Sequence, residues 1–309
     1  MKNREKSETH HLIYQSIQDK TRIRLKDLAR ILGLSGRGRT TQTASRHLQE
    51  MYELKITFYP NLILRAYENS YVTAYFLRAK SRKAVTKIFK GLQTDPQISY
   101  VIFLSGQYDF FVTSRQEQLN LEKFDVSIVK KSCMYTPVFA VPQGWNNEMR
   151  ECLKSLTASR FEKGVLGREL EDFLPWEELD WQIFYSMMFN ARKKFTEVGR
   201  EVGVTSDTVK RHFNRSVLPY CDVAHYFFPK GYDHYDRSFV IAHSDYEKDF
   251  VSSLGKLPCT SYVYPLEEEL ALILFHEGIN GLITAFQKLE EVEVIRDYLL
   301  LVPVWHWWI

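Results

Sequence analysis

The stretch Leu28-Ala29-Arg30-Ile31-Leu32-Gly33-Leu34-Ser35 returns at an offset of 170 as Val198-Gly199-Arg200-Glu201-Val202-Gly203-Val204-Thr205. Upstream the same offset pairs Ile13 with Ile183, Ile17 with Met187, Arg22 with Arg192 and Leu25 with Phe195, the apolar i, i+4 face of a preceding helix. Downstream, Thr43-Ala44-Ser45-Arg46-His47-Leu48 matches Thr208-Val209-Lys210-Arg211-His212-Phe213 at an offset of 165. The first copy thus carries five extra residues, within Gly36-Arg37-Gly38-Arg39-Thr40-Thr41-Gln42. A duplication of this kind decides the fold, because each copy must fold as the same unit.

Each window reads as three helices. In the second copy they fall over 179–190, 196–202 and 206–215, with Gly203 as a left-handed C-terminal glycine and Thr205 as the next N-cap. Two short helices around a glycine turn, the second rich in polar side chains, make a helix-turn-helix. The third helix would read DNA, with Ser206, Asp207, Lys210 and Arg211 toward base edges and phosphates, and Arg192 with Lys193 on the backbone. In the first copy the matching set is Gln42, Thr43, Ser45 and Arg46, braced by Lys26 and Arg30. Gly36-Arg37-Gly38-Arg39 reads two ways. It is either an arm gaining phosphate or minor-groove contacts through Arg37 and Arg39, or an insertion that spoils the angle between helices.

Charge tracks the repeat. The chain of 309 residues has a net charge of +3, yet residues 1–50 hold eleven Lys and Arg against five Asp and Glu, and residues 180–215 hold seven against four. The remainder is net acidic, so positive charge is confined to the two windows expected to face a polyanion.

Each window leads into an α/β segment. Residues 70–78 are β-rich, 81–93 read as a helix with Ala84, Ile88 and Leu92 on one face, and 98–104 with 108–113 form a hairpin around Ser105-Gly106-Gln107. A helical turn over 119–124 and a last strand over 134–141 complete β-α-β-β-α-β, a ferredoxin-like order. The second half repeats it with strands over 238–243, 260–264, 270–275 and 299–305, and helices over 246–254 and 280–291. Thr136-Pro137-Val138-Phe139 echoes Val302-Pro303-Val304-Trp305. The expected fold class is α+β: two winged-type or three-helix helix-turn-helix domains (8–60 and 177–222), each followed by a ferredoxin-like βαββαβ domain (68–143 and 234–309), with a partly helical linker over 144–176.

This order resembles the Lrp/AsnC (feast/famine) regulators. Asn190-Ala191-Arg192, Glu197-Val198-Gly199, Gly203-Val204-Thr205 and Thr208-Val209 stand where that family's reader has recurring residues, and Gly106-Gln107-Tyr108-Asp109 resembles the hairpin of its sensor domain. The resemblance implies a cytoplasmic transcription regulator that binds double-stranded DNA, self-associates through its sensor sheets as a homo-dimer or higher, and takes a small effector such as an amino acid at Gly106, Tyr108 and Asp109. In the second sensor Glu267-Glu268-Glu269 replaces the glycine hairpin, which puts its effector site in doubt.

Two other classes compete. Siroheme decarboxylases share this reader-plus-sensor architecture, and that chemistry wants histidine and arginine converging on an acidic tetrapyrrole. His225, His234, His243, His276 and His306 are available in the second half, with no motif joining them. An interaction scaffold is the other, motivated by the terminal Trp305-His306-Trp307-Trp308-Ile309, which must be buried in its own sheet or an interface. The leading expectation is therefore a regulator and not an enzyme, without a catalytic residue, cofactor or metal. Cys133, Cys152, Cys221 and Cys259 show no ligand spacing and read as buried free thiols, and no apolar run is long enough for a membrane span.

Overall fold

The computed structural model describes residues 2–34, 40–116 and 119–308, with side chains described between 6 and 305. Arg37 and Arg39 lie outside the described residues. Three helices, α1 (Lys2–Asp19), α2 (Leu25–Ile31) and α3 (Thr40–Glu53), form the first helix-turn-helix around Ile13, Ile17, Leu28, Ala44 and Leu48. After it come β1 (Asn61–Leu64), β2 (Val72–Ala79), α4 (Val85–Gln93), β3 (Tyr100–Ser105), β4 (Phe110–Ser114), β5 (Val126–Met134), β6 (Val138–Ala140) and a connecting helix α5 (Met149–Thr157). The second helix-turn-helix is α6 (Glu178–Met187), α7 (Phe195–Val202) and α8 (Ser206–His212). It is followed by β7 (Cys221–Ala224), β8 (Asp236–His243), α9 (Glu247–Leu254), β9 (Ser261–Pro265), β10 (Leu270–His276), α10 (Ile279–Glu291) and β11 (Asp297–Trp308).

Local chemistry sets the helix ends in the second reader. Glu177 and Asp180 close a capping box at the start of α6, Gly203 ends α7 at φ 75°, and the Thr205 hydroxyl accepts from the Thr208 amide at 3.2 Å. No described helix is long and apolar enough to cross a membrane.

The sheet runs β5-β2-β4-β3-β11-β8-β10-β9-β6. Each half has the ferredoxin-like order in which the fourth strand lies beside the first and the third separates first from second. Alternation along the strands builds two cores. Ala74, Phe76 and Phe111 face the second half, where Phe111 and Phe239 rings lie 5.0 Å apart; Tyr75, Leu77, Phe110 and Val112 face α4. The α+β class with two readers and two ferredoxin-like units is what the structure holds.

One strand differs from expectation. The fourth strand of the first unit is Val126–Met134, paired with β2, and the segment expected there continues as β6 onto β9 of the other unit. Its sequence, Val-Ser-Ile-Val-Lys-Lys-Ser-Cys-Met, lies at a sheet edge, where Ser127, Ile128, Val129 and Lys131 are exposed and Lys130 turns to Glu269. The second unit does the same in mirror. β11 pairs with β8 through Asp297–Leu301, shifts register between Pro303 and Trp305, and pairs with β3 up to Trp308. The echo of 136–139 in 302–305 marks these two crossings. The terminal aromatic run thus begins as strand backbone on β3, with Trp305 packed on Phe89 and Phe103 but 54% exposed.

Candidate functional site

The two readers are held together by a reciprocal clasp. Arg22 donates to the carbonyls of Ala191 and Lys193 in the second reader, while Arg192 donates to those of Thr21 (2.6 Å) and Ile23 (3.2 Å) in the first. The two arginines are repeat partners, so one side chain does the same job twice about a pseudo-two-fold axis. On the same axis β1 and β7 pair antiparallel, Asn61 opposite Ala224. The two helix-turn-helix units and the two halves of the sheet thus meet within one chain.

Several residues expected at DNA are therefore committed elsewhere. Arg192 is in the clasp, and Lys193 binds Glu201 (2.5 Å) and the Ser186 hydroxyl (3.2 Å). Gln42, Ser45 and Arg46 are exposed on α3, and Asp207, Lys210 and Arg211 on α8, with Thr43 and Ser206 half-buried. Around the sensor hairpin, the Leu301 side chain lies where a Cβ on Gly106 would be, 2.3 Å from it; Tyr108 is buried against Phe76 (ring centroids 5.0 Å); the Asp109 carboxylate accepts from the Ala79 amide (2.8 Å). These three residues serve the hairpin and line no described cavity. Glu269, of the acidic second hairpin, is buried between Lys130 (2.9 Å) and His243 (3.4 Å).

A cavity of about 720 Å³ opens elsewhere, among residues not expected at a binding site from the sequence. Its floor is β1 and the first sheet, its roof the end of α6 through Phe184, Tyr185 and Met188, and its side wall Phe139, Tyr226 and Tyr262. Those three rings stand edge to face or tilted at 5.4–5.6 Å from one another. The volume falls within the roughly 300–1,000 Å³ of small-molecule sites, and the walls are mainly aromatic.

Two arginines reach this cavity and differ in kind. Arg65 is paired with Glu171, lies 3.7 Å from Asp222 and donates to the Pro219 carbonyl (2.7 Å), so its charge is spoken for. Arg115 donates to the Ser70 hydroxyl, at 3.4 Å, and no carboxylate among the described residues pairs with it. Burial pulls its pKa below the usual guanidinium range. The phenols move the other way. Burial pushes the pKa values of Tyr100, Tyr226, Tyr262 and Tyr264 up, the neighbouring phenols adding to it, so all four stay protonated. No described lining residue is a histidine. His225 bonds to Thr21 (3.2 Å), His276 to Ser238 (2.9 Å) and His243 to Asp297 (2.6 Å), His234 faces Glu277 (3.8 Å), and the His306 side chain is outside those described.

The matching face of the first reader is closed. Tyr14, the repeat partner of Phe184, stacks on Phe227 at 4.8 Å, and His11 stacks on Trp145 at 4.2 Å. Trp145 is delivered by a turn in which a Cβ on Gly144 would stand 1.9 Å from the Lys256 carbonyl oxygen. The internal pair thus has one open cavity and one filled.

No family model matches this sequence, and no curated protein matches it. Solved structures do. The fold is similar to that of the siroheme decarboxylase NirDL. That crystal structure has a TM-score of 0.53 at 11% identity, covering 96% of this chain and 91% of its own; its co-complex with an iron-uroporphyrin III analogue has 0.53 at 10%, covering 95% and 92%. At these identities the likeness establishes the fold. It also corrects one expectation: the architecture read as that of a regulator and not an enzyme is, in these neighbours, the architecture of an enzyme over nearly the whole chain.

Proposed function

We propose that this chain is an enzyme of the siroheme-decarboxylase kind, taking a planar, carboxylate-bearing tetrapyrrole in the aromatic cavity beneath α6. The observation that carries the reading is Arg115, a half-buried arginine that faces a ligand-sized, aromatic-walled space and pairs with no carboxylate among the described residues. A cation left so is costly unless an anion completes it, and a substrate carboxylate does. The flat rings of Phe139, Tyr226 and Tyr262 suit a planar macrocycle.

Loss of CO2 from a side-chain carboxylate leaves an electron pair on carbon that must receive a proton. With no histidine among the described lining residues, the groups able to hold that proton are phenols. Burial keeps Tyr100, Tyr262 and Tyr264 protonated, so they act as donors and not as bases. Arg115 holds and orients one carboxylate of the macrocycle, while the apolar wall disfavours the charge of the one that departs, which promotes its loss as neutral CO2.

Titrating the chain with the iron-uroporphyrin III analogue and following the tetrapyrrole absorption band tests binding. Arg115→Met should weaken it by about 10–150-fold, the equivalent of about 1.5–3 kcal/mol for one charge-assisted hydrogen bond. Siroheme incubated with the wild type should lose mass as CO2. An unperturbed band with the wild type, or an identical titration for Arg115→Met, would refute the assignment.

The exposed polar faces of α3 and α8 favour one second reading, duplex DNA bound at Gln42, Ser45, Arg46, Lys210 and Arg211. Salt-dependent electrophoretic shift on duplex DNA tests it, and absence of any shift at low salt would reject it.

A further inference from the structure

The two readers differ at one matched position. In the second, Asp180 of α6 and His212 of α8 form a closed pair, 2.8 Å from Oδ1 to Nδ1. At offsets of 170 and 165 the first reader has His10 and His47 there, and Glu50 stands where the second has Arg215. His10 is 4% exposed. Neither its Nε2 nor the Nδ1 of His47 has a hydrogen-bond partner, and both atoms are buried. One ring nitrogen of each histidine and a Glu50 carboxylate oxygen lie within 4.8 Å of one another. Glu50 Oε2 is 3.8 Å from His10 Nε2, too far for a hydrogen bond.

Two buried, unpartnered imidazole nitrogens beside a half-exposed carboxylate are a set of donors that an ion between them would satisfy. We propose that His10 Nε2, His47 Nδ1 and the Glu50 carboxylate bind one divalent transition-metal ion, zinc by donor preference, which staples α1 to α3. Two nitrogens and one oxygen are a borderline donor set, and zinc takes such ligands at about 2.0–2.2 Å in a tetrahedron, which brings donor atoms to roughly 3.3 Å from one another. The triad reaches that spacing by closing about an ångström, a movement within the torsional reach of Glu50, whose side chain is 34% exposed. Water takes the fourth position on the exposed side.

One further feature fits. Lys6 holds the other Glu50 oxygen at 2.5 Å and so orients the carboxylate, as an outer-shell partner does. The second reader lacks this option. Arg215 replaces the carboxylate, and Asp180 is already shared between His212 and the Glu177 amide.

The test uses the full, untagged chain, stripped with chelator and titrated with Co2+, then with Zn2+. The expected result is a single Co2+ per chain giving tetrahedral visible bands, displaced by Zn2+. His47→Gln and Glu50→Gln should each lose at least about tenfold in Co2+ affinity, since even outer-shell changes cost that much. His212→Gln, at the matched position, should bind Co2+ as the wild type does. Zn2+ should raise the melting temperature of the wild type and not that of Glu50→Gln, a partly exposed change that leaves the fold in place. A folded wild type without Co2+ bands, or equal affinities in wild type, His47→Gln and Glu50→Gln, would overturn the proposal and leave the triad as a proton-sharing histidine and glutamate cluster.

Discussion

Replacing Arg192 by alanine removes the two hydrogen bonds it sends across to the Thr21 and Ile23 carbonyls. A bond from a charged donor contributes about 1.5–3 kcal/mol net. The one at 2.6 Å belongs in that range, while the one at 3.2 Å, at the long limit, adds less. Because Thr21 is half-buried, water partly replaces the lost donor, and about 2–4 kcal/mol of destabilisation is expected. Arg22→Ala should cost about 1 kcal/mol more, since that guanidinium also lies over the Phe195 ring, 4.0 Å from its centroid. The double variant should exceed the sum. Burial and the like charge of Arg192 bring the Arg22 pKa down to about 10, and that repulsion is relieved in each single variant but only once in the double. Urea unfolding followed by tryptophan fluorescence reads this directly, since Trp176 and Trp181 pack edge to face at 4.9 Å in the second reader. If Arg192→Ala unfolds with the wild type and instead abolishes duplex binding, the clasp does not hold the readers and Arg192 belongs to the DNA surface that the sequence suggested.

The filled cavity and the buried histidines give two more expectations. Gly144→Ala would press a methyl against the Lys256 carbonyl oxygen, 1.9 Å from its place, and against Cys152 Sγ, 3.0 Å away; with backbone on one side the turn must move, at about 1–3 kcal/mol in thermal or urea unfolding, and an unchanged midpoint would contradict the turn geometry. Acid should weaken the fold beginning well above the carboxylate range. Burial lowers the His225 pKa to about 4, so between that value and the unfolded value of about 6.5 the unfolded chain binds the extra proton and stability rises with pH. Stability is then full above about pH 6.5 and falls toward pH 4, by at most about 1.4 kcal/mol per pH unit for this group, and His225→Gln should flatten that slope. His10, His11 and His276, lowered likewise by burial, act in the same direction.

The repeat made the architecture legible, because a shared offset carries helix faces, caps and turns together: Gly203, Thr205 and the α6 apolar face are set by local chemistry. Two things escaped for physical reasons. β5 was hidden because this edge strand is exposed at three successive residues, Ser127, Ile128 and Val129, and so has no apolar alternation to read. The cavity was hidden because its walls come from several separate stretches of chain, and its decisive cation, Arg115, stands in no motif. Arg192 misled for a related reason. A basic residue beside a helix-turn-helix looks like a phosphate contact, whereas its fork of donors here meets two backbone carbonyls of the other copy. The shared offset of Arg22 and Arg192 held the clue, since a clasp about a two-fold axis needs the same residue on both sides.

Fusion of two copies explains why the halves differ as they do. In a dimer of identical chains, any residue that fills one cavity fills both, and any ligand set in one reader appears in both. A single chain escapes that constraint. Trp145, carried by the connection between the two units, closes the space over α1, while the cavity under α6 stays open beside Arg115. The readers part in the same way, one holding the His10, His47 and Glu50 triad and the other the Asp180–His212 pair. What remains equal in both halves is what holds them to each other: the arginine clasp, the β1–β7 pair and the crossed last strands. The retained symmetry is thus mechanical and the broken symmetry chemical, which is the pattern expected when one of two inherited sites is kept for a ligand and the other is released to pack.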